Sequence, residues 1–207
     1  YKVIFGFFGP MIYHLMFSIL SKIAPLISCR KYILRNKIGE IVAPSQISAQ
    51  WLKNYKEAQT NNIKLLYVGR IKKEKGIYSL LQIIKDSNIN FSLSIVGAEK
   101  NSSNLTTQDN VYIHEVENNE QTLIKFYDDH NIFVLPSYTE GHPMTLLESL
   151  SRLRPVIIFK DIEHVIGDKK GIFVAERNSN SFFKTINHIK ENYNNIQQEM
   201  KKNKLPT

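Results

Sequence analysis

From residue 63 onward the chain alternates short apolar runs with stretches whose apolar residues recur at helical spacing. The runs are IKLLYVG (63–69), FSLSIVG (91–97), VYI (111–113), IFVLPS (132–137), PVIIF (155–159) and GIFVAE (171–176). Between and after them lie IYSLLQIIKD (77–86), EQTLIKFYDD (120–129), PMTLLESLSR (143–152) and a long terminal segment, NSFFKTINHIKENYNNIQQEM (180–200). In these segments apolar side chains fall every three to four residues, on one helix face. Short buried strands alternating with helices predict an α/β fold: a Rossmann-like, doubly wound parallel sheet with helices on both faces. Such sheets bind ligands outside the carboxyl ends of their strands. The loops to inspect are therefore those after Gly69, Gly97, Tyr112 and Ile113, Pro136 and Phe159.

The first sixty residues follow a different pattern. YKVIFGFFGPMIYHLMFSILSKIAPLI (1–27) is nearly as long as the ~20 apolar residues that cross a bilayer, but Lys2, Pro10, His14, Lys22 and Pro25 interrupt it. Three readings stand: a buried helix of a further domain, an amphipathic helix in the membrane interface, and a true span. No small-residue cleavage site follows the run, which argues against a secretory signal. CRKYILRNK (29–37) is a basic connector and EIVAP (40–44) a short buried strand. Ser45 is placed to cap a helix over 46–58, with Ile47, Trp51, Leu52 and Tyr55 on its apolar face. The polar QTNN (59–62) marks a boundary. The expected division is 1–60 as the end of one domain, 61–192 as the α/β domain and 193–207 as a tail. Because residue 1 is Tyr and the chain stops at KNKLPT, the sequence reads as a fragment of a longer protein.

Composition narrows the function classes. The 207 residues are 43% hydrophobic, too apolar for a disordered chain. The one cysteine, Cys29, makes no internal disulfide and no cysteine zinc site, and fits a reducing compartment. The net charge of +8 is uneven: residues 1–60 hold eight Lys/Arg against two Asp/Glu, or +6, leaving +2 for the rest. Basic and apolar together point to a membrane surface as a candidate partner, at the inner face of the cell membrane, rather than to nucleic acid. A nucleic-acid binder would carry a basic face with reading arginines, whereas Lys outnumbers Arg here by 21 to 6.

Two strand-end loops carry chemistry. In GRIKKEKG (69–76), Gly69 lets a ligand approach the backbone, Arg70 offers a planar fork suited to phosphate, and Lys75 adds a second cation before the next helix. Lys72 and Lys73 are expected to face solvent. In PSYTEGHPMTLLESL (136–150), Glu140 and Gly141 precede His142 at an expected N-cap and Pro143 at the first helical position. The amides of Met144 and Thr145 then form a helix N-terminus of the kind that binds anions. Carboxylates do not bind phosphate, but they accept hydrogen bonds from sugar hydroxyls, as ribose shows in dinucleotide folds. Glu140 before the helix and Glu148 within it can then face one cleft, giving an order of sugar, phosphate, ribose. The six histidines are scattered. All read as packed or surface residues except His142, which its loop position makes a candidate ligand contact.

GRIKKEKG followed by PSYTEGHPMTLLESL resembles the nucleotide-sugar-binding half of glycosyltransferase family 4, enzymes of the GT-B architecture with two Rossmann-like domains facing a cleft. SIVGAEK (94–100), IFVLPS (132–137) and EIVAPSQISAQWL (40–52) are similar to the family's flanking segments, so the resemblance covers about residues 40–192. It implies that Arg70 and Lys75 contact the donor diphosphate and stabilise the leaving nucleoside diphosphate. Glu140 would hold the transferred sugar and Glu148 the ribose, with the amides from His142 to Thr145 supporting phosphate. Arg70, Lys75 and Glu140 are thus the expected catalytic groups. Gly69, Gly141, His142, Met144, Thr145 and Glu148 complete the expected donor site.

The resemblance further implies a retaining transferase without metal or other cofactor. It would move sugar from a nucleotide diphosphate sugar to a glycan or lipid-linked acceptor in surface polysaccharide or lipopolysaccharide synthesis, in the cytoplasm. Three departures stand out. Leu153 occupies the position of a helix-capping glycine, Glu115 that of a glycine after the third strand, and the segment around Glu163 is shortened. The first two, with the unmatched acceptor side, keep open an alternative, a non-catalytic nucleotide- or sugar-phosphate-binding module. The acceptor-side groups have no match in this chain, so the fragment alone is expected to bind donor without turnover.

Overall fold

The computed structural model describes residues 9–28, 39–42, 45–58, 60–85, 89–99 and 108–207. The basic connector, with Cys29, lies outside them, as do Ala43 and Pro44 of the expected first strand. The chain forms two compact units, Tyr1–Pro44 and Ser45–Thr207.

In the first unit, helix α1 (Gly9–Ile23) ends with Lys22 in its last turn, where a cation meets the negative end of the helix dipole. Its large apolar side chains are mostly exposed, among them Met11, Leu15, Met16, Ile19 and Ile23. Strands β1 (Leu26–Ser28) and β2 (Gly39–Ile41) pair in parallel, Leu26 opposite Gly39. Among the described residues no helix is long and apolar enough to cross a membrane.

The second unit holds the six expected strands. They are β3 (Ile63–Val68), β4 (Phe91–Ala98), β5 (Val111–Glu115), β6 (Ile132–Leu135), β7 (Val156–Phe159) and β8 (Ile172–Ala175). All pair in parallel, in the order β5-β4-β3-β6-β7-β8. The chain winds outward from β3 to β5, then crosses back to begin again at β6. The strand order thus reverses between β3 and β6, and the loops leaving these two neighbours diverge to opposite faces. That divergence opens a crevice at the carboxyl edge.

One face packs Leu65 and Tyr67 of β3 against α2 (Ile77–Lys85) and α5 (Ser179–Glu191). The other packs Leu66 against α3 (Glu120–Asp129) and α4 (Met144–Ser151). Adjacent residues on one strand serve opposite cores, as the two-residue repeat of a strand requires. Asn119 and Asn178 cap α3 and α5 by accepting from Thr122 N and Ser181 N.

Five expectations are corrected. The helix over 46–58 is only a 3-10 turn, Ala49–Leu52, and Ser45 does not cap it. The carbonyls a helix would use are taken by two arginines about a hundred residues away. Arg152 Nη1 donates to Trp51 O (2.9 Å) and Lys53 O (2.6 Å), and Arg152 Nη2 to Asn54 O (2.9 Å). Arg154 Nη2 donates to Lys56 O (2.7 Å). Both guanidiniums are buried and face Asp128, with Arg152 bidentate at 2.9 and 2.8 Å.

The boundary expected at 59–62 lies instead before Ser45, because Ile47 and Trp51 are buried in the second core. Trp51 meets Tyr127 edge to face at 5.4 Å. Likewise the tail from 193 begins with α6 (Tyr193–Met200), whose Tyr193 and Met200 are buried, and Tyr193 OH donates to Asn131 O at 2.6 Å. The long terminal helix is therefore two, broken at Asn192. Finally, α4 begins at Met144 with Pro143 as its N-cap, one residue later than expected.

Leu153 does what the missing glycine would. It adopts φ 55°, and α4 closes with Leu153 N donating to Leu150 O and Arg154 N to Ser149 O. That pair of bonds is the Schellman closure. The left-handed residue costs about 1–2 kcal/mol without glycine, offset here by packing of the Leu153 side chain against the second core.

Candidate functional site

The crevice at the β3–β6 switch point is a cleft of about 300 Å³. Gly69, Arg70, Lys75, Glu140, His142, Met144 and Thr145 line it, together with Tyr67, Ser137 and Pro143. The structure thus gathers seven of the nine expected residues. Gly141 sits in the same loop with open space around its Cα. Glu148 does not line the cleft, being further along α4.

Two glycines allow the loops to meet. Gly76, at φ 69°, turns the chain into α2, and a side chain there would collide with the Pro136 carbonyl. Gly97, at φ 124°, lies equally close to the Gly69 carbonyl. Beside it, Gly69 N donates to Val96 O (2.9 Å). The two loops are also joined by Tyr138 N donating to Glu74 O (3.0 Å). Beneath them Tyr67 OH donates to Arg70 O (2.7 Å), fixing the backbone from which the exposed Arg70 side chain projects. Burial, reinforced by the Glu140 carboxylate, pushes the Tyr67 phenol far above its ordinary pKa, so it remains a donor. Lys72 and Lys73 face solvent as expected.

Lys75 Nζ and Ser137 Oγ both donate to Glu140 Oε1 at 2.7 Å. The side chains of Lys75 and Glu140 are 24% and 11% exposed, so the pair sits at the wall of the cleft rather than in open water. His164 Nε2 donates to the Glu140 carbonyl (2.8 Å), and Ser45 Oγ donates to the His142 carbonyl (2.9 Å). Past Pro143, the first amides of α4 form the helix N-terminus at the cleft floor.

Glu148 has another environment. Its Oε2 accepts from the buried Tyr127 OH at 2.7 Å. Burial raises the Glu148 carboxyl pKa, Tyr127's hydrogen bond lowers it, and the Glu120 charge raises it further. Burial and the neighbouring carboxylate hold the Tyr127 hydroxyl protonated.

Sequence reasoning missed Tyr67, Tyr127, Ser137, His164 and Arg177. Arg177 lies just beyond β8, at a strand end, and the same carboxyl-edge rule would have flagged it. Glu115 and Glu163 are exposed.

The parallel sheet with helices on both faces makes this a Rossmann-like α/β domain, with Arg70, Lys75 and Glu140 gathered in a cleft at its switch point. Residues 50–205 match the family described as glycosyl transferases group 1, and the chain belongs to that family. It is 30% identical over 136 residues to the capsular polysaccharide biosynthesis glycosyltransferase CapM of Staphylococcus aureus, covering 59% of this chain and 35% of CapM. It is 26% identical over 181 residues to an uncharacterized glycosyltransferase of Haemophilus influenzae, covering 80% of this chain and 50% of that protein. In fold it is similar to a glycosyltransferase from Rickettsia africae, with TM-score 0.71 and 15% identity over 92% of this chain and 59% of the other. The chain spans between a third and a half of the length of these two sequence relatives.

Proposed function

We propose that this chain is the donor-binding half of a retaining glycosyltransferase. Its whole protein would move a sugar from a nucleotide diphosphate sugar to a glycan or lipid-linked acceptor in surface polysaccharide synthesis. The observation that carries the reading is the meeting of Arg70, Lys75, Glu140 and the α4 N-terminus in one cleft at the strand-order reversal. Arg70 forks onto the diphosphate, and Lys75 and the Met144 and Thr145 amides neutralise the rest of its charge. As the bond from sugar to diphosphate breaks, these preorganised donors stabilise the charge gathering on the leaving group. Glu140 accepts from sugar hydroxyls, and Glu148 from the ribose.

The acceptor side would belong to the first unit, Tyr1–Pro44, and to the rest of the whole protein. The basic excess of residues 1–60 and the exposed apolar face of α1 support work at the inner membrane surface on a lipid-linked acceptor. The capsular polysaccharide role in CapM's name supports the polysaccharide assignment. The alternative of a non-catalytic binding module leaned on Leu153, Glu115 and the unmatched acceptor-side groups; of these, Leu153 forms the helix closure that a glycine would.

The test is a calorimetric titration of the chain with UDP, GDP and ADP in EDTA. Saturable binding of one of them is the expected result. No binding by any, with the chain folded, overturns the donor-site reading.

A further inference from the structure

Arg177 sits outside the cleft, just after β8, yet its guanidinium reaches the ends of two other strands, β6 and β7. Nη1 donates to Pro136 O (2.9 Å) and Nη2 to Ser137 O (3.3 Å), the first two carbonyls of the loop that carries Glu140. Nε and Nη2 grip Asp161 Oδ2 at 3.1 and 2.6 Å, in the turn after β7. The guanidinium plane also stacks on Tyr138 at 3.9 Å and on Phe159 at 4.4 Å. Gly76 of the first loop packs against the same Pro136 carbonyl.

A planar fork can satisfy two carbonyls, a carboxylate and two ring faces at once, and lysine cannot reproduce that geometry. We infer that Arg177 is the positioning residue for the Glu140 loop, setting where the Glu140 carboxylate meets the transferred sugar. The inference rests on the donor-site reading above. It adds a determinant of sugar recognition that touches no substrate itself. Asp161 holds the guanidinium in place, and Ser137 links the grip to Glu140: its carbonyl accepts from Arg177 while its hydroxyl donates to the Glu140 carboxylate. Releasing Arg177 frees the sugar end of the loop, while Arg70 and the α4 N-terminus keep their own supports.

The readout is the ratio of nucleotide-sugar to nucleotide affinity, measured by calorimetry with UDP and UDP-glucose, GDP and GDP-mannose, and ADP and ADP-glucose, with melting temperatures alongside. Arg177→Lys is expected to lower the ratio about tenfold, the scale of one lost charge-assisted hydrogen bond. Asp161→Asn is expected to lower it less, and serves if the Arg177 variant folds poorly. A merely structural arginine would lower both affinities together, or only the melting temperature, and either result overturns the inference. Glu140→Gln separates the two levels. If it lowers the ratio and the Arg177 and Asp161 variants do not, the Arg177 inference falls and the site reading stands. If Glu140→Gln leaves the ratio unchanged, or no pair binds, the site reading falls and takes the inference with it.

Discussion

Glu140 and Glu148 are the same residue type eight positions apart, and the fold treats them in opposite ways. Glu140 stands at the cleft wall with its charge answered by a cation, Lys75, and a hydroxyl, Ser137. Glu148 stands half buried behind the helix terminus, where among the described residues it pairs with no cation and accepts from the neutral donor Tyr127. An ion pair leaves a carboxylate charged at little cost. Burial against a phenol keeps the carboxylate aimed but makes its charge expensive. On the donor-site reading proposed above, the sugar end would have an adaptable contact and the ribose end a fixed, pH-sensitive one.

The largest effect expected within the site is at neither carboxylate but between them. On the proposed donor site, Arg70→Ala would remove two charge-assisted hydrogen bonds to diphosphate and should cost about 3 kcal/mol or more in nucleoside diphosphate binding. Glu148→Ala should cost about 2 kcal/mol, the scale of one such bond to ribose. Calorimetry on both variants checks the ranking. Unchanged affinity in both would remove the cleft from the donor site altogether.

Acidification should separate the two ends next. Because burial raises the Glu148 carboxyl pKa, nucleotide affinity should fall as the pH drops through a window above the usual carboxylate range. Stability moves the other way. The native state binds this proton more tightly than the unfolded chain, so stability rises as pH falls through that window and is lower at neutral pH. Glu148→Gln should then melt at a higher temperature than the parent at neutral pH while binding nucleotide less well. Tyr127→Phe keeps the ring contacts with Trp51 and Phe133 but loses the donor that favours the carboxylate. Affinity should fall by about 1 kcal/mol, and its acid limb should move to higher pH. An acid limb that does not move in Tyr127→Phe would mean that Glu148 is not the titrating group.

The strands and the cleft were legible because their signals are local. Apolar runs such as IKLLYVG and IFVLPS, ended by Gly69 and Pro136, specify strands and their turns, and the carboxyl-edge rule then names the loops. What stayed hidden depends on partners far away in sequence. Residues 46–58 have helical spacing, yet Arg152 and Arg154 claim their carbonyls. The pattern of one segment carries no sign of that capture. Tyr127 reads as one more core aromatic until α3 and α4 are packed side by side, and only then does its hydroxyl meet Glu148. Arg177 was hidden for a different reason: the edge rule applies to β8 as well, but the loops it was used to name stopped at the one after Phe159.

The smallest effect is the most discriminating for the comparison. A partly exposed ion pair is worth about 0–1 kcal/mol, so Glu140→Gln should do little to the fold. It should leave Lys75 unpaired in the cleft, able to turn fully toward phosphate. Nucleoside diphosphate affinity should therefore hold or rise, by no more than about fivefold, the equivalent of ~1 kcal/mol. Affinity for the corresponding nucleotide sugar should not share that rise, since the hydroxyl acceptor has gone. If nucleotide affinity instead falls about as far as in Glu148→Ala, Glu140 is holding the nucleotide and not the sugar. The two carboxylates would then serve one end of the ligand, and the contrast in their surroundings would belong to folding rather than to recognition.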